Sequence, residues 1–225
     1  MAQSLPSLEY LDRMNAHSCQ YDPRIPYFFY APKDVFAPNG KEYNLVILVH
    51  GNERSAETYR NASRKFAEAT DSIVLAPLFP AGLVDPGQID NYNLLRYKDV
   101  HFDAALAHMA DELRSRFPIK KEPFFLHGFS AGGQFVHRFF YLYPHLIRSI
   151  SVGSCSQTTF LDPQNPWPAG IKDLTDRFGL SPNPGDYGKV NAQFVIGADD
   201  NFIFNPEIPF TRHQLLTKLR DDWAS

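Results

Sequence analysis

The order of apolar segments predicts an α/β protein built on a doubly wound, mostly parallel sheet. Three observations carry this. Short apolar runs alternate with segments of helical periodicity from Tyr43 onward. The strand-like runs are apolar throughout instead of alternating, which marks strands covered on both faces. Residues with chemical potential fall just after those runs, and in such sheets ligands bind beyond the carboxyl ends of the strands.

The first strong strand is the apolar run from Tyr43 to Val49. Ser55 to Thr70 follows as a helix, with Tyr59, Ala62, Phe66 and Ala69 on one side. Ser72 to Ala76 is the next strand, closed by Pro77 and Pro80. Pro86 to Tyr97 is rich in Gly, Asn and Asp and reads as a loop. Asp99 to Phe117 is a helix whose stripe is Phe102, Leu106, Met109, Leu113 and Phe117. A short buried strand over Pro123–His127 leads into a helix over Gln134–Tyr143. Ile147–Val152 and Asn191–Ile196 are further strands, and Thr211–Trp223 is the last helix. Thr211 and Gln214 have the spacing of a capping box at its start. His17 lies in a polar segment ahead of the sheet.

The 225 residues fit one α/β domain or at most two small ones, and we read 1–225 as one domain. Residues 156–190 are rich in proline and poor in periodicity, so they read as an insertion or cover over the active-site edge. A formal charge of −3 offers no basic field for nucleic acid. No apolar stretch approaches the ~20 residues a membrane span needs. The N-terminus lacks the charged and apolar regions of a secretory signal, and Cys19 and Cys155 are too few for a disulfide framework. Both features point to a reduced, cytoplasmic chain. No zinc-type spacing is visible, and the oligomeric state is undetermined.

Gly128-Phe129-Ser130-Ala131-Gly132 falls between a predicted strand and a predicted helix. A G-x-S-x-G in that setting exposes its serine as a nucleophile on a sharp turn. The backbone N–H of Ala131, at the start of the helix, can stabilise an oxyanion. His50-Gly51-Asn52 follows the first strand, and the N–H of Asn52 is the second oxyanion donor that such a turn supplies. His50 itself reads as a residue that fixes the loop. Gly197-Ala198-Asp199-Asp200 closes a strand, where a carboxylate can orient a base. Asp200 has the better spacing, and Asp199 competes with it.

These segments resemble the α/β-hydrolase family, nearest to small esterases of the polyester depolymerase and feruloyl esterase branch. The resemblance runs from Tyr27 onward and is most specific over His127–Phe139. It implies a serine–histidine–acid triad that acts on small carboxylic esters through an acyl-enzyme at Ser130. It implies no metal or organic cofactor.

In that family the base follows the acid after one more helix and one more strand. Here only Ala224 and Ser225 follow Trp223, so the sheet of the α/β-hydrolase type is expected to lack its last edge strand. Of eight histidines only His213 follows the acid. It falls in the first turn of a helix, where the dipole disfavours an imidazolium. Two explanations stand at this point: a chain shortened from a longer reading frame, or a short protein that has lost catalysis. The alternative to a serine esterase is therefore a non-catalytic binding protein of the same fold. Phe79, Phe129, Phe160 and Trp167 suggest a partly apolar pocket, although each is as compatible with the core.

Overall fold

The computed structural model describes residues 16–37, 40–180, 183–201, 203 and 210–224. Its centre is a seven-stranded sheet. The strands are β1 (His17–Ser18), β2 (Pro26–Tyr30), β3 (Asn44–Val49), β4 (Ser72–Pro77), β7 (Phe124–Phe129), β8 (Ile147–Gly153) and β9 (Asn191–Val195). Their spatial order is β1-β2-β4-β3-β7-β8-β9. From β4 to β9 every pairing is parallel. β2 runs antiparallel to both β4 and β1. A separate two-stranded ribbon joins β5 (Arg96–Tyr97) to β6 (Val100–His101).

Between the strands lie α1 (Ala56–Ala62), α2 (Arg64–Ala69), α3 (Phe102–Arg116) and α4 (Ala131–Leu142). Two short helices, α5 (Leu174–Phe178) and α6 (Pro184–Tyr187), precede β9, and α7 (Arg212–Ala224) follows it. The mostly parallel α/β architecture is the one the sequence predicts. The apolar stripe of α3 is buried at Phe102, Leu106, Met109 and Leu113, as its spacing requires. The helix expected over 55–70 is divided at Ser63, which ends α1 and begins α2. The expectation that His17 precedes the sheet is wrong. His17 pairs with Tyr27 in the edge strand, and its ring packs on Phe29 with centroids 4.9 Å apart.

The core is lopsided. Every residue of α4 is buried. Phe135 and Phe139 stack below it, and Phe79 and Phe102 close the cluster. α7 buries Leu215, Leu216, Leu219 and Trp223. The Trp223 indole donates to the Tyr141 hydroxyl at 2.9 Å and packs on Phe140 and Phe194. Its start carries the expected capping box: Thr211 N donates to Gln214 Oε1 at 2.8 Å, and Gln214 N donates to Thr211 Oγ1 at 3.3 Å. No helix among the described residues is long and apolar enough to cross a membrane.

Register sets what the C-terminal edge of the sheet can gather. Val49 of β3 is level with Gly128 of β7, and Phe129 is level with Gly153 of β8. Gly153 is in turn level with Val195 of β9. The loops at 50–52, 130–131, 154–157 and 196–201 therefore leave the sheet side by side, although they are distant in sequence.

Candidate active site

Ser130 occupies the turn between β7 and α4 with φ 57° and ψ −121°. A side chain is seldom held at positive φ, and the conformation costs about 1–3 kcal/mol. Backbone contacts hold it there. Ser130 N donates to Gly153 O at 2.9 Å, and Ser130 O accepts from Gln134 N at 3.1 Å. The turn is closed so tightly that a Cβ on Gly128 would lie 2.2 Å from Gly132 O. One on Gly132 would lie 2.3 Å from Val49 O. Both positions must be glycine for α4 to rest on β3 and β7 this closely. The Ser130 hydroxyl receives no hydrogen bond from another described residue.

The 50–52 turn abuts this serine. A Cβ built on Gly51 would sit 3.6 Å from Ser130 Cβ. His50 locks the turn. Its Nε2 accepts from Phe79 N–H at 3.0 Å, so its proton is on Nδ1, which donates to Gly51 O at 2.7 Å. Burial pushes this imidazole down to about 4, which keeps it neutral. Asn52 O accepts from Arg54 Nη1 at 2.5 Å, and the other arm of that guanidinium bonds Ile89 O. Arg54 thus ties Asn52 to the 85–91 loop, a role with no periodic or motif signal in the sequence. At the first position of α4, the Ala131 N–H has no intrahelical acceptor.

Ser130, Asn52 and Ala131 line one cavity of about 250 Å³. Three of the sequence-predicted site residues are therefore together. The fourth, Asp200, is close by but differently engaged. Its Oδ2 lies 3.1 Å from Arg212 Nη1, and it is Arg212 that reaches the cavity wall. None of the eight histidines lines that cavity among the described residues. His213 Nε2 meets Gly197 O at 3.0 Å, and its ring borders a different surface hollow with Lys218 and Asp222. His137 is sealed in α4 between Gly133 O at 2.8 Å and Thr159 N at 2.9 Å, and burial pushes it down to about 3. His108 stacks on Tyr21, far along the sequence from the site.

None of the four aromatics singled out in the sequence is among the described residues lining this cavity. Phe79 and Trp167 belong to the core, and Phe129 is 41% exposed. Phe160 lies under Lys218 Nζ at 4.1 Å. The cavity is instead walled by polar side chains, the carboxamides and hydroxyl of Gln88, Asn91, Asn93, Gln134, Ser156 and Gln157 together with the charged Asp90 and Arg212, and Leu94 is the large apolar side chain among its described lining. Part of the 156–190 segment reaches it. Ser156 and Gln157 face the cavity, while Thr159 is clamped onto α4 by His137, Arg138 and Tyr141. These loop residues carry no periodicity that would mark them in the sequence.

The sheet order and the strand–turn–helix at the serine are those of an α/β-hydrolase fold. Solved structures of hydrolases share it. Poly(aspartic acid) hydrolase-1 from Sphingomonas sp. KT-1 superposes with a TM-score of 0.72 at 22% identity, over 89% of this chain and 80% of that one. A poly(3-hydroxybutyrate) depolymerase from Bordetella parapertussis gives 0.72 at 18% identity, over 98% and 83%. A ferulic acid esterase gives 0.53 at 13% identity, over 88% and 80%. At such identities the likeness is one of fold. No protein-family model matches the chain, and no curated protein matches its sequence.

Proposed function

We propose that this chain is a serine ester hydrolase scaffold in which Ser130 is the nucleophile. The observation that carries the reading is the strained backbone of Ser130, held at φ 57° beside a polar cavity with its hydroxyl unengaged by described residues. Backbone strain of this size persists at a surface turn only where the surroundings enforce it, and such sites are enriched in function. The folds of esterases and depolymerases named above support the same class.

In the reaction, Ser130 Oγ attacks the ester carbonyl carbon and its proton passes to a base. The carbonyl oxygen becomes an oxyanion, received by the N–H groups of Asn52 and Ala131. Collapse releases the alcohol and leaves an acyl group on Oγ, which water then removes as the acid. Asp200 is the acid that would orient an imidazole. No histidine lies at the cavity, so the proton of Oγ goes to solvent hydroxide in the chain as described. Oxyanion donors and binding alone sustain a residual ~10³–10⁴-fold rate over water. In this reading residues 1–225 act as one domain, with part of 156–190 walling the site.

The test is labelling by a fluorophosphonate together with turnover of p-nitrophenyl butyrate. Both are expected to be measurable and to vanish in Ser130→Ala. Labelling that survives this substitution removes Ser130 as the nucleophile.

A second reading has its own observation. Asp200 is paired with a guanidinium instead of an imidazole, which favours a binding protein that retains the fold without turnover. No reaction of Ser130 with the fluorophosphonate at any pH would select that reading.

A further inference from the structure

The cavity beside Ser130 contains two buried carboxamides, each held by a hydrogen bond to a neighbouring side chain. Asn93 is 4% exposed and Gln134 is 5% exposed, yet both contribute to the cavity wall. Arg138, fully buried one helical turn beyond Gln134, reaches Asn93 with Nη1, which donates to the backbone O at 2.9 Å and to Oδ1 at 3.3 Å. Its Nε donates to Thr159 Oγ1 at 2.9 Å, so the guanidinium itself is held. A guanidinium has donors only. It therefore fixes which end of the Asn93 carboxamide it faces: the oxygen is taken, and the N–H₂ group is left. Gln134 is turned the opposite way. Its Nε2 donates to Ser156 Oγ at 3.0 Å, and no described residue donates to its Oε1.

Gln134 stands four residues after Ser130, one turn along α4 and on the same face. From this arrangement we infer that Asn93 and Gln134 form a specificity subsite. Its donor and acceptor together select an ester carrying a neutral hydroxyl or carboxamide near the scissile carbonyl, over one carrying an alkyl chain. Asn93 Nδ2 donates to the oxygen of that group, and Gln134 Oε1 accepts its hydrogen. Arg138 is a positioning residue that prevents the Asn93 carboxamide from turning over. An alkyl group at this place would leave both buried amides without partners, which is costly in an occluded site. The inference rests on Ser130 as the nucleophile.

Three fluorophosphonates of equal chain length test it, ending in a hydroxyl, a carboxamide or a methyl group. The quantity read is the ratio of labelling rates, polar over methyl, because misfolding slows all three alike. In the natural chain at least one polar probe is expected to label about tenfold faster than the methyl probe. The comparison between hydroxyl and carboxamide shows which group the subsite takes. Asn93→Leu and Gln134→Leu are each expected to bring the ratio close to unity. Arg138→Met is expected to lower it as well, although Arg138 cannot touch the probe. Equal rates for all three probes in the natural chain overturn the subsite while leaving Ser130 as nucleophile. A ratio that persists in both leucine variants overturns the assignment to Asn93 and Gln134. Failure of every probe to label overturns the nucleophile, and the subsite with it.

Discussion

Arg212 Nη1 lies 3.1 Å from Asp200 Oδ2, and this pair ties the loop after β9 to the first turn of α7. Both side chains are largely shielded, with 23% and 18% of their surface exposed. The contact brings the guanidinium to the wall of the Ser130 cavity and occupies the carboxylate that the sequence marks as the triad acid. A double-mutant cycle isolates its strength. Asp200→Asn, Arg212→Gln and the double variant, compared by urea unfolding, are expected to give a coupling of about 1 kcal/mol. Additive effects would mean that the pair is geometric only.

The chemistry of Ser130 predicts a distinctive pH profile. With hydroxide as the proton acceptor, the rate of fluorophosphonate labelling should climb about tenfold per pH unit, without the plateau that a base of pKa near 6.5 produces. Added imidazole is small enough to enter a 250 Å³ cavity and should accelerate labelling in proportion to its neutral form. His213→Ala should leave the profile unchanged, because that ring is turned toward Gly197 O and a separate hollow. A plateau in the profile that disappears in His213→Ala would instead make His213 the base.

The sheet was legible in the sequence because β4 is buried on both faces and β3 nearly so, and burial leaves uninterrupted apolar runs such as Leu45–Val49 and Ile73–Ala76. The turn at Ser130 was legible because its glycines answer to steric contacts that tolerate nothing larger. β1 and β2 were not, since an antiparallel edge shows only a few alternating residues; His17 acquires meaning through pairing with Tyr27 of β2, and Pro26–Tyr30 through β2's pairing with β4. The cavity wall was the least legible part. Asn91, Asn93, Ser156 and Gln157 reach it from loops whose positions depend on Arg54 and Arg138, and no local pattern announces such long-range bonds. Phe79 and Trp167 misled for a related reason: an aromatic residue reads alike whether it lines a pocket or fills a core.

Buried histidines make the fold acid-sensitive. In the unfolded chain a histidine titrates near 6.5. In the folded chain burial holds His50 down to about 4 and His137 down to about 3. Between those values and 6.5 the unfolded chain binds more protons than the folded one. Stability contributed by the neutral rings is therefore complete above pH 6.5 and is lost as the pH falls toward 4, by up to about 1.4 kcal/mol per pH unit for each residue. Urea midpoints measured across this range should drop steeply on the acid side. His137→Gln keeps a donor and an acceptor for Gly133 O and Thr159 N–H but cannot take up the proton, so its slope should be shallower by about that amount. An unchanged slope would mean that His137 takes no part in acid unfolding.

The turn at Ser130 sets function against stability, and three substitutions separate the terms. Ser130→Ala removes the hydroxyl but keeps a Cβ at φ 57°, so the backbone strain remains and stability should change by less than about 0.5 kcal/mol. Ser130→Gly removes the Cβ as well and lets the residue occupy positive φ without penalty, so it should be more stable than Ser130→Ala by about 1 kcal/mol. Gly132→Ala acts in the opposite direction, because its Cβ would meet Val49 O at 2.3 Å and push α4 off β3. We expect it to lose about 2–3 kcal/mol and to slow labelling of an intact Ser130, as the Ala131 N–H moves with the helix. Denaturation midpoints for the three variants, measured beside their labelling rates, give the ranking Ser130→Gly above Ser130→Ala above Gly132→Ala. If Ser130→Gly is no more stable than Ser130→Ala, the turn is relaxed and its positive φ does not argue for a nucleophile.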